Sequence, residues 1–281
     1  TYTRTNANSS NASLTISGIQ VRSTNGSILP NSGSILRTAA NPGTGSITGI
    51  TNGVTNFGSL SQVVGVKNKL AFTTQPSSSV TVATDFTTKP VVTLQDQFGT
   101  TISADSASTI TRTAVLSTQT CGGTAGTGTL SSTPSSGSAV TSGVMTYTAM
   151  QYSYGEAIKI CVASTGVTSA LSNTITVNNP VPTTTSISPT SKTVGDAQFT
   201  LTVNGTNFVS NSVVNFSGSA RSTTYVNSTQ LTAIIPATDL LSAVAFNITV
   251  FNSTPTGGTS NTQTFTVNAA VPQPNLTGLI P

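Results

Sequence analysis

The sequence predicts an all-β chain of tandem β-sandwiches joined by short Pro-containing linkers. Three observations carry that expectation: a hydroxyl-rich yet hydrophobic composition, short runs of apolar–polar alternation, and two Pro-x-Pro segments that divide the chain. The 281 residues include 40 Ser and 56 Thr, while charged residues are only 6%, against roughly 25% in an ordinary soluble domain. Such a Ser/Thr content also fits a disordered stalk. Hydrophobic residues at 35% and a mean hydropathy of +0.11 oppose disorder, which goes with low hydrophobicity and high net charge. Thr is β-branched and suits a pleated, half-buried surface.

The same composition narrows function. The chain has no His and only six carboxylates. Catalysis near neutral pH relies on groups that titrate or coordinate there, with His best placed. A hydrolase, transferase or metalloenzyme is therefore not expected, and no cofactor is expected either. A net charge of +4 spread over 281 residues is too sparse for nucleic-acid binding, and Lys67 and Lys69 are the one close pair of cations. No apolar run approaches the ~18 residues of a membrane span. Thr1 at the start and the lack of a signal peptide read as a mature or trimmed chain. Two cysteines in this setting suit an oxidising, extracellular location.

Alternation supplies the strands. The clearest runs are 144–150, with Met145, Tyr147 and Ala149 on one face, and 156–162, with Ile158, Ile160 and Val162. Runs 199–203 (Phe199, Leu201, Val203), 246–250 and 265–267 continue the pattern. No helical periodicity competes with it.

Pro180-Val181-Pro182 and Pro272-Gln273-Pro274 read as stiff connectors. Each is followed by another proline seven residues on, Pro189 and Pro281, which lie 92 positions apart. That spacing is close to the ~100 residues of an immunoglobulin-like domain and marks an internal repeat. The expected organisation is a β-rich, incomplete immunoglobulin-like domain at 1–66, with a boundary near Gly65 to Lys69. An immunoglobulin-like domain follows at 67–179, another at 180–271, and a linker with the start of a further repeat at 272–281. Leu276, Thr277, Gly278, Leu279 and Ile280 have two readings: the beginning of that repeat, or a strand donated to a neighbouring copy.

Residues 183–268 resemble an IPT/TIG domain, the immunoglobulin-like module of many bacterial surface proteins. The resemblance rests on Thr185-Ser186-Ile187-Ser188-Pro189-Thr190, Gly205-Thr206-Asn207-Phe208 and Val213-Val214-Asn215-Phe216-Ser217-Gly218. Ser228-Thr229-Gln230-Leu231-Thr232-Ala233, Pro236 and Thr264-Phe265-Thr266-Val267 complete it. Asp196 stands where the family usually has a second Gly after Gly195. Residues 69–178 resemble the immunoglobulin-like repeats of large exported bacterial proteins, through Leu70-Ala71-Phe72-Thr73-Thr74-Gln75-Pro76 and Pro90-Val91-Val92-Thr93-Leu94-Gln95-Asp96-Gln97-Phe98-Gly99. In residues 1–66, Leu14-Thr15-Ile16-Ser17-Gly18-Ile19 and Thr55-Asn56-Phe57-Gly58 are similar to segments of such arrays. These resemblances imply spacers and assembly units without catalysis.

Candidate sites follow from residue type. Cys121 and Cys161 would close a loop worth ~4 kcal/mol by the chain-entropy argument. With Ile158, Ile160 and Val162 facing inward, Cys161 faces outward, so the expected bridge is a surface staple; free thiols or intermolecular bonds are the alternatives. Asp85, Asp96, Asp105, Glu156, Asp196 and Asp239 read as turn-shaping residues, with weak calcium binding as the other reading. A Lys–Asn isopeptide bond would need Lys67 or Lys69 beside Asn173 or Asn178, promoted by Asp96 or Glu156. Among the clustered tyrosines, Tyr147 reads as core and Tyr154 as a corner residue that bonds backbone. The other reading of the cluster is a platform for glycan stacking.

Asn-x-Ser/Thr sequons stand at Asn8, Asn11, Asn25, Asn204, Asn215, Asn227, Asn247, Asn252 and Asn275. Chance nearly accounts for that number at this Ser/Thr content. Their distribution is more informative, because no Asn occurs between Asn68 and Asn173. Glycans, if attached, would coat the first and last domains and leave the middle one bare. The chain thus reads as a structural subunit or stalk of a cell-surface filament or array, partnered by other copies of itself. An adhesin segment that binds a glycan or host protein is the alternative.

Overall fold

The computed structural model describes residues 31–36, 56–62 and 65–271. In the first unit, Thr1–Val64, the strands Asn31–Leu36 and Asn56–Gln62 pair antiparallel. The expectation that this domain is incomplete falls largely outside the described residues, as do residues 272–281.

The second unit, Gly65–Pro281, holds two β-sandwiches of immunoglobulin-like type in sequence. In the first, one sheet runs in the order Ser79–Thr81, Ile175–Asn178, Ala157–Ala163, Thr109–Leu116, Ser138–Ala139, and the opposing sheet joins Lys69–Thr74, Val91–Gln95 and Val144–Thr146. In the second, Thr183–Ser188, Phe199–Thr206, Gln230–Ile235 and Thr223–Asn227 form one sheet. The facing sheet orders Ser191–Thr193, Gln263–Asn268, Ala245–Asn252, Val213–Phe216 and Ser219–Ala220. Both sandwiches share a topological detail: a short early strand pairs parallel with the last strand, Ser79–Thr81 on Ile175–Asn178 and Ser191–Thr193 on Gln263–Asn268.

Period-2 alternation explains which residues fill the cores. Ile158, Ile160 and Val162 are fully buried, as are Leu201, Val203, Ile248, Val250 and Phe265. In the second core, Phe265 stacks on Phe199 at 5.4 Å between ring centroids and meets Phe216 edge-on at 5.8 Å. Offset and edge contacts of this kind suit the ring quadrupole.

One face assignment is corrected. Met145 and Tyr147 are buried, but Ala149 is not, and Met150 and Tyr152 take the core positions instead. The cause is a change of partner. Val144–Thr146 pairs with Val91–Gln95, whereas Ala149–Tyr152 pairs with Leu130–Thr133. Two strands meet at residues 147–148, so the period restarts there.

The tyrosine corner is also reassigned. Tyr152, not Tyr154, bonds backbone: its hydroxyl accepts from the Gly128 N–H at 2.8 Å and donates to Glu156 Oε1 at 2.5 Å. Burial and then the neighbouring carboxylate push its ionisation well above the usual phenol range. Glu156 in turn accepts from the Thr127 N–H, so the Gly-rich stretch is pinned to the sandwich at this point.

Cys121 and Cys161 form a disulfide with a Cα–Cα separation of 5.3 Å. Cys161 lies on the face opposite Ile160, yet it is not a surface residue: only 4% of it is exposed. The loop carrying Cys121 and the short strand Ala170–Leu171, which pairs with Cys161 and Val162, lie alongside that outer face. The Cys121 Sγ stands 3.4 Å from the Ala170 carbonyl oxygen. Replacing both cysteines by serine should lower the unfolding free energy by about 4 kcal/mol, the loop-closure value for a span of this length. Urea titration followed by circular dichroism would show it as an earlier transition with unchanged native spectrum.

Candidate functional site

The junction between the two sandwiches is built from a web of buried polar contacts. The first sandwich ends on Ile175–Asn178, and the chain continues through Asn179 into Pro180-Val181-Pro182. The sequence reads this stretch as a connector stiffened by proline alone. The structure adds a web of hydrogen bonds that ties it to the second sandwich.

Asn179 is 1% exposed. Its N–H donates to the Pro255 carbonyl at 2.8 Å, its own carbonyl accepts from the Gly257 N–H at 2.9 Å, and its Nδ2 donates to the Ser253 carbonyl at 2.9 Å. Beside it, Asn178 Oδ1 accepts from the Thr256 hydroxyl at 2.9 Å. Residues 178–179 thereby pair with the loop 253–257 much as one more strand would. Two glycines make room. A Cβ on Gly155 would lie 2.3 Å from Asn179 Oδ1, and one on Gly257 would lie 2.3 Å from the Asn252 and Ser253 carbonyls.

Asn252, at the end of Ala245–Asn252, is fully buried. Its Nδ2 donates to the Pro180 carbonyl at 2.8 Å and to the Asn207 carbonyl at 2.9 Å. Its Oδ1 accepts from the Ser212 hydroxyl at 2.6 Å, and that same oxygen of Ser212 accepts from the Val209 N–H. Asn207 completes the closure by donating from its Nδ2 to the Val181 carbonyl at 3.0 Å. One amide thus joins the linker, the loop 207–212 and the last turn of the sheet. Proline supplies no N–H, so its carbonyl needs a donor from elsewhere, and Asn252 provides one.

Other sequence candidates fall in different places. Asn252 is corrected as a glycosylation site: both hydrogens of its Nδ2 are committed within the fold. Asn204 and Asn215 are half-buried within strands, and Asn204 Nδ2 donates to Ser186 Oγ at 3.1 Å. Asn227 and Asn247 are exposed. Asn8, Asn11, Asn25 and Asn275 lie outside the described residues, as do Leu276, Thr277, Gly278, Leu279 and Ile280.

The carboxylates shape loops and pair with cations. Asp96 Oδ1 accepts from the Phe98 and Thr100 N–H groups, and Asp196 accepts from the Thr193 N–H. Asp239 pairs with Arg221 at 2.6 Å. Asp105 is held below the usual carboxylate range chiefly by the Ser108 N–H, and Asp85 by Lys89 and then the Met150 N–H. The members of the isopeptide constellation whose contacts are described are engaged elsewhere. Lys67 Nζ lies 3.0 Å from Ser108 Oγ, Asn178 serves the junction, and Asp96 and Glu156 are engaged as above. The junction itself was missed in the sequence; Asn-Asn-Pro-Val-Pro at 178–182 was the available signal, because buried Asn is a common partner for backbone that lacks a regular ladder.

The fold defines residues 65–271 as two immunoglobulin-like modules in tandem, with this hydrogen-bonded junction between them. Within it, residues 182–267 are an IPT/TIG domain. No curated protein matches the chain. Among solved structures it is similar to the Yersinia pseudotuberculosis adhesin InvE, at 16% identity and a TM-score of 0.39 over 69% of this chain. The chain spans 60% of that adhesin's length. It is also similar to domains 4–9 of the surface layer protein SbsC, at 13% identity and TM-score 0.30, covering 78% of this chain and 34% of that one. The I9–I11 tandem of titin gives 10% identity and TM-score 0.31, over 78% and 72% respectively.

An Asn252→Asp substitution sets a carboxylate oxygen against two carbonyl oxygens. It should destabilise the second sandwich by about 2–4 kcal/mol, the range for an unsatisfied buried polar group worsened by charge. Differential scanning calorimetry would read this as a downshifted transition. Glycopeptide mass spectrometry of the folded native protein should find Asn252 unmodified.

Proposed function

We propose that this chain is a non-enzymatic structural segment of an extracellular surface filament or array. The observation that carries the reading is the junction: Asn178, Asn179, Asn207 and Asn252 lock the linker to the second sandwich. Two modules fixed in this way transmit force and orientation as one body, which a spacer needs and a loosely linked binding module does not. The disulfide adds a crosslink suited to an oxidising exterior. Among the described residues no helix is long and apolar enough to cross a membrane.

Assembly is by contact between copies of the chain. The segment 276–280 is apolar enough in sequence to serve as an added strand, and residues 1–66 are the proposed acceptor. Strand addition takes its affinity from main-chain hydrogen bonds and its register from alternate side chains. A head-to-tail contact of this type propagates into an open filament when its rotation does not close. Deletion of residues 272–281 should abolish assembly in negative-stain electron microscopy while circular dichroism and melting of the monomer stay unchanged. A deletion variant that still polymerises would overturn strand addition. Micrographs of native material showing isolated particles with a freely variable angle between modules would overturn the stiff-segment reading.

A further inference from the structure

Between the two sandwiches the junction leaves a groove of 530 Å³, within the usual range for small-molecule sites. Its walls are Thr81 to Thr84 and Ser153 from the first sandwich, and Pro180, residues 206–210, Tyr225, Ser228 and Thr229 from the second. No lining residue carries a charge. The exposed lining is mainly apolar, with the hydroxyl-bearing side chains of Thr81, Thr84, Ser153, Ser228 and Thr229 among it, a neutral mixture that suits the C–H faces and hydroxyls of a sugar. A charged ligand would lose solvation here without gaining a partner.

Tyr225 is 38% exposed, and it sits on the edge strand Thr223–Asn227. Two residues later comes Asn227, an exposed sequon Asn whose own Ser228 and Thr229 line the groove. In the hairpin that closes there, Asn227 Oδ1 accepts from the Thr229 N–H at 2.9 Å and from the Thr229 hydroxyl at 2.8 Å. Those bonds use the carbonyl oxygen and not the amide nitrogen, which is the atom that bears an N-linked sugar. Asn247 is the other exposed sequon Asn among the described residues, and neither it nor its following Ile248 and Thr249 line this groove. Asn227 itself stands at the rim, and the ring of Tyr225 and the two remaining sequon residues, Ser228 and Thr229, line the cavity beside it.

We propose that Asn227 carries an N-linked glycan whose first sugars occupy this groove against the Tyr225 ring, bridging the two sandwiches. The donor is a polyprenyl-diphosphate-linked oligosaccharide. Asn227 Nδ2 forms a bond to the anomeric carbon and gives up one proton, the bond from that carbon to the diphosphate oxygen breaks, and the lipid diphosphate leaves with the electron pair. Tethering then holds the sugars beside the groove at an effective concentration on the order of millimolar, so individually weak contacts suffice. The proposal rests on the chain being exported, as in the reading above, but not on its polymerising.

The test begins with glycopeptide mass spectrometry of the native full chain, where Asn227 should be occupied. Asn227→Gln, Tyr225→Ala and the double variant are then made in the native host. Each single change should lower the melting midpoint of the second unit by about 2–4 °C. In the Asn227→Gln background, Tyr225→Ala should add almost nothing, because the ring has lost its sugar. An unmodified Asn227 overturns the proposal. So does an occupied Asn227 whose removal leaves the effect of Tyr225→Ala unchanged, since the glycan would then lie outside the groove. The 272–281 deletion reports on assembly independently of either result.

Discussion

A buried side-chain amide is costly unless its hydrogens and oxygen find partners, and Asn252 satisfies both by spanning three segments at once. That requirement governs the rest of the junction. The Pro180 carbonyl has to face Asn252, which sets the direction of the linker. The loop 207–212 has to place the Asn207 carbonyl and the Ser212 hydroxyl on either side of the same amide. With the linker so oriented, Asn179 lies against Ser253 and Pro255, and Gly155 and Gly257 have to lack a Cβ. The relative placement of two sandwiches thus follows from one amide and its partners.

The chemistry of this joint is the chemistry available to the chain. With six carboxylates and ten cationic residues in all, ion pairs are few, and each of those described has at least one partner in a loop: Lys67–Asp105, Lys89–Asp85, Lys192–Asp196 and Arg221–Asp239. Partly exposed pairs of this kind add little, and salt screens them. The junction contains none of them. Its bonds are neutral amide, hydroxyl and carbonyl contacts, each of modest net value but costly to break one-sidedly once buried. Such a joint is insensitive to ionic strength, whereas a joint made of ion pairs would loosen in salt.

Much of the fold was legible in the sequence because alternation is a local signal. Ile158, Ile160 and Val162, or Leu201 and Val203, disclose their face from spacing alone. Legibility fails where a side chain's fate depends on distant residues. Met150 could not be placed inward without knowing that the strand changes partner at residues 147–148. Cys161 faces away from the core, as alternation says, but its burial comes from segments some ten and forty residues away, Ala170–Leu171 and the Cys121 loop. Asn252 shows the limit most sharply. Asn-Ser-Thr reads identically at Asn227 and at Asn252, and only the carbonyls of Pro180 and Asn207, supplied by remote parts of the chain, separate an exposed sequon from a structural keystone.

Low charge would place two opposing demands on this chain if, as proposed, it assembles with itself. Copies approach one another with little electrostatic repulsion, which favours extended lateral contact. The same lack of repulsion removes a main source of colloidal stability, since a net charge near zero for its size promotes indiscriminate association. Exposed apolar side chains such as Val226, Leu241, Val244 and Phe251 increase that hazard, and Val226 lies on the same edge strand as Tyr225. Edge strands are usually protected by charge, proline or a covering element. This edge has no charged residue between Thr223 and Asn227. A neutral, hydrated glycan rooted at Asn227 would cover it without adding charge, so that one modification would both seal the junction groove and keep an otherwise sticky edge from pairing out of place.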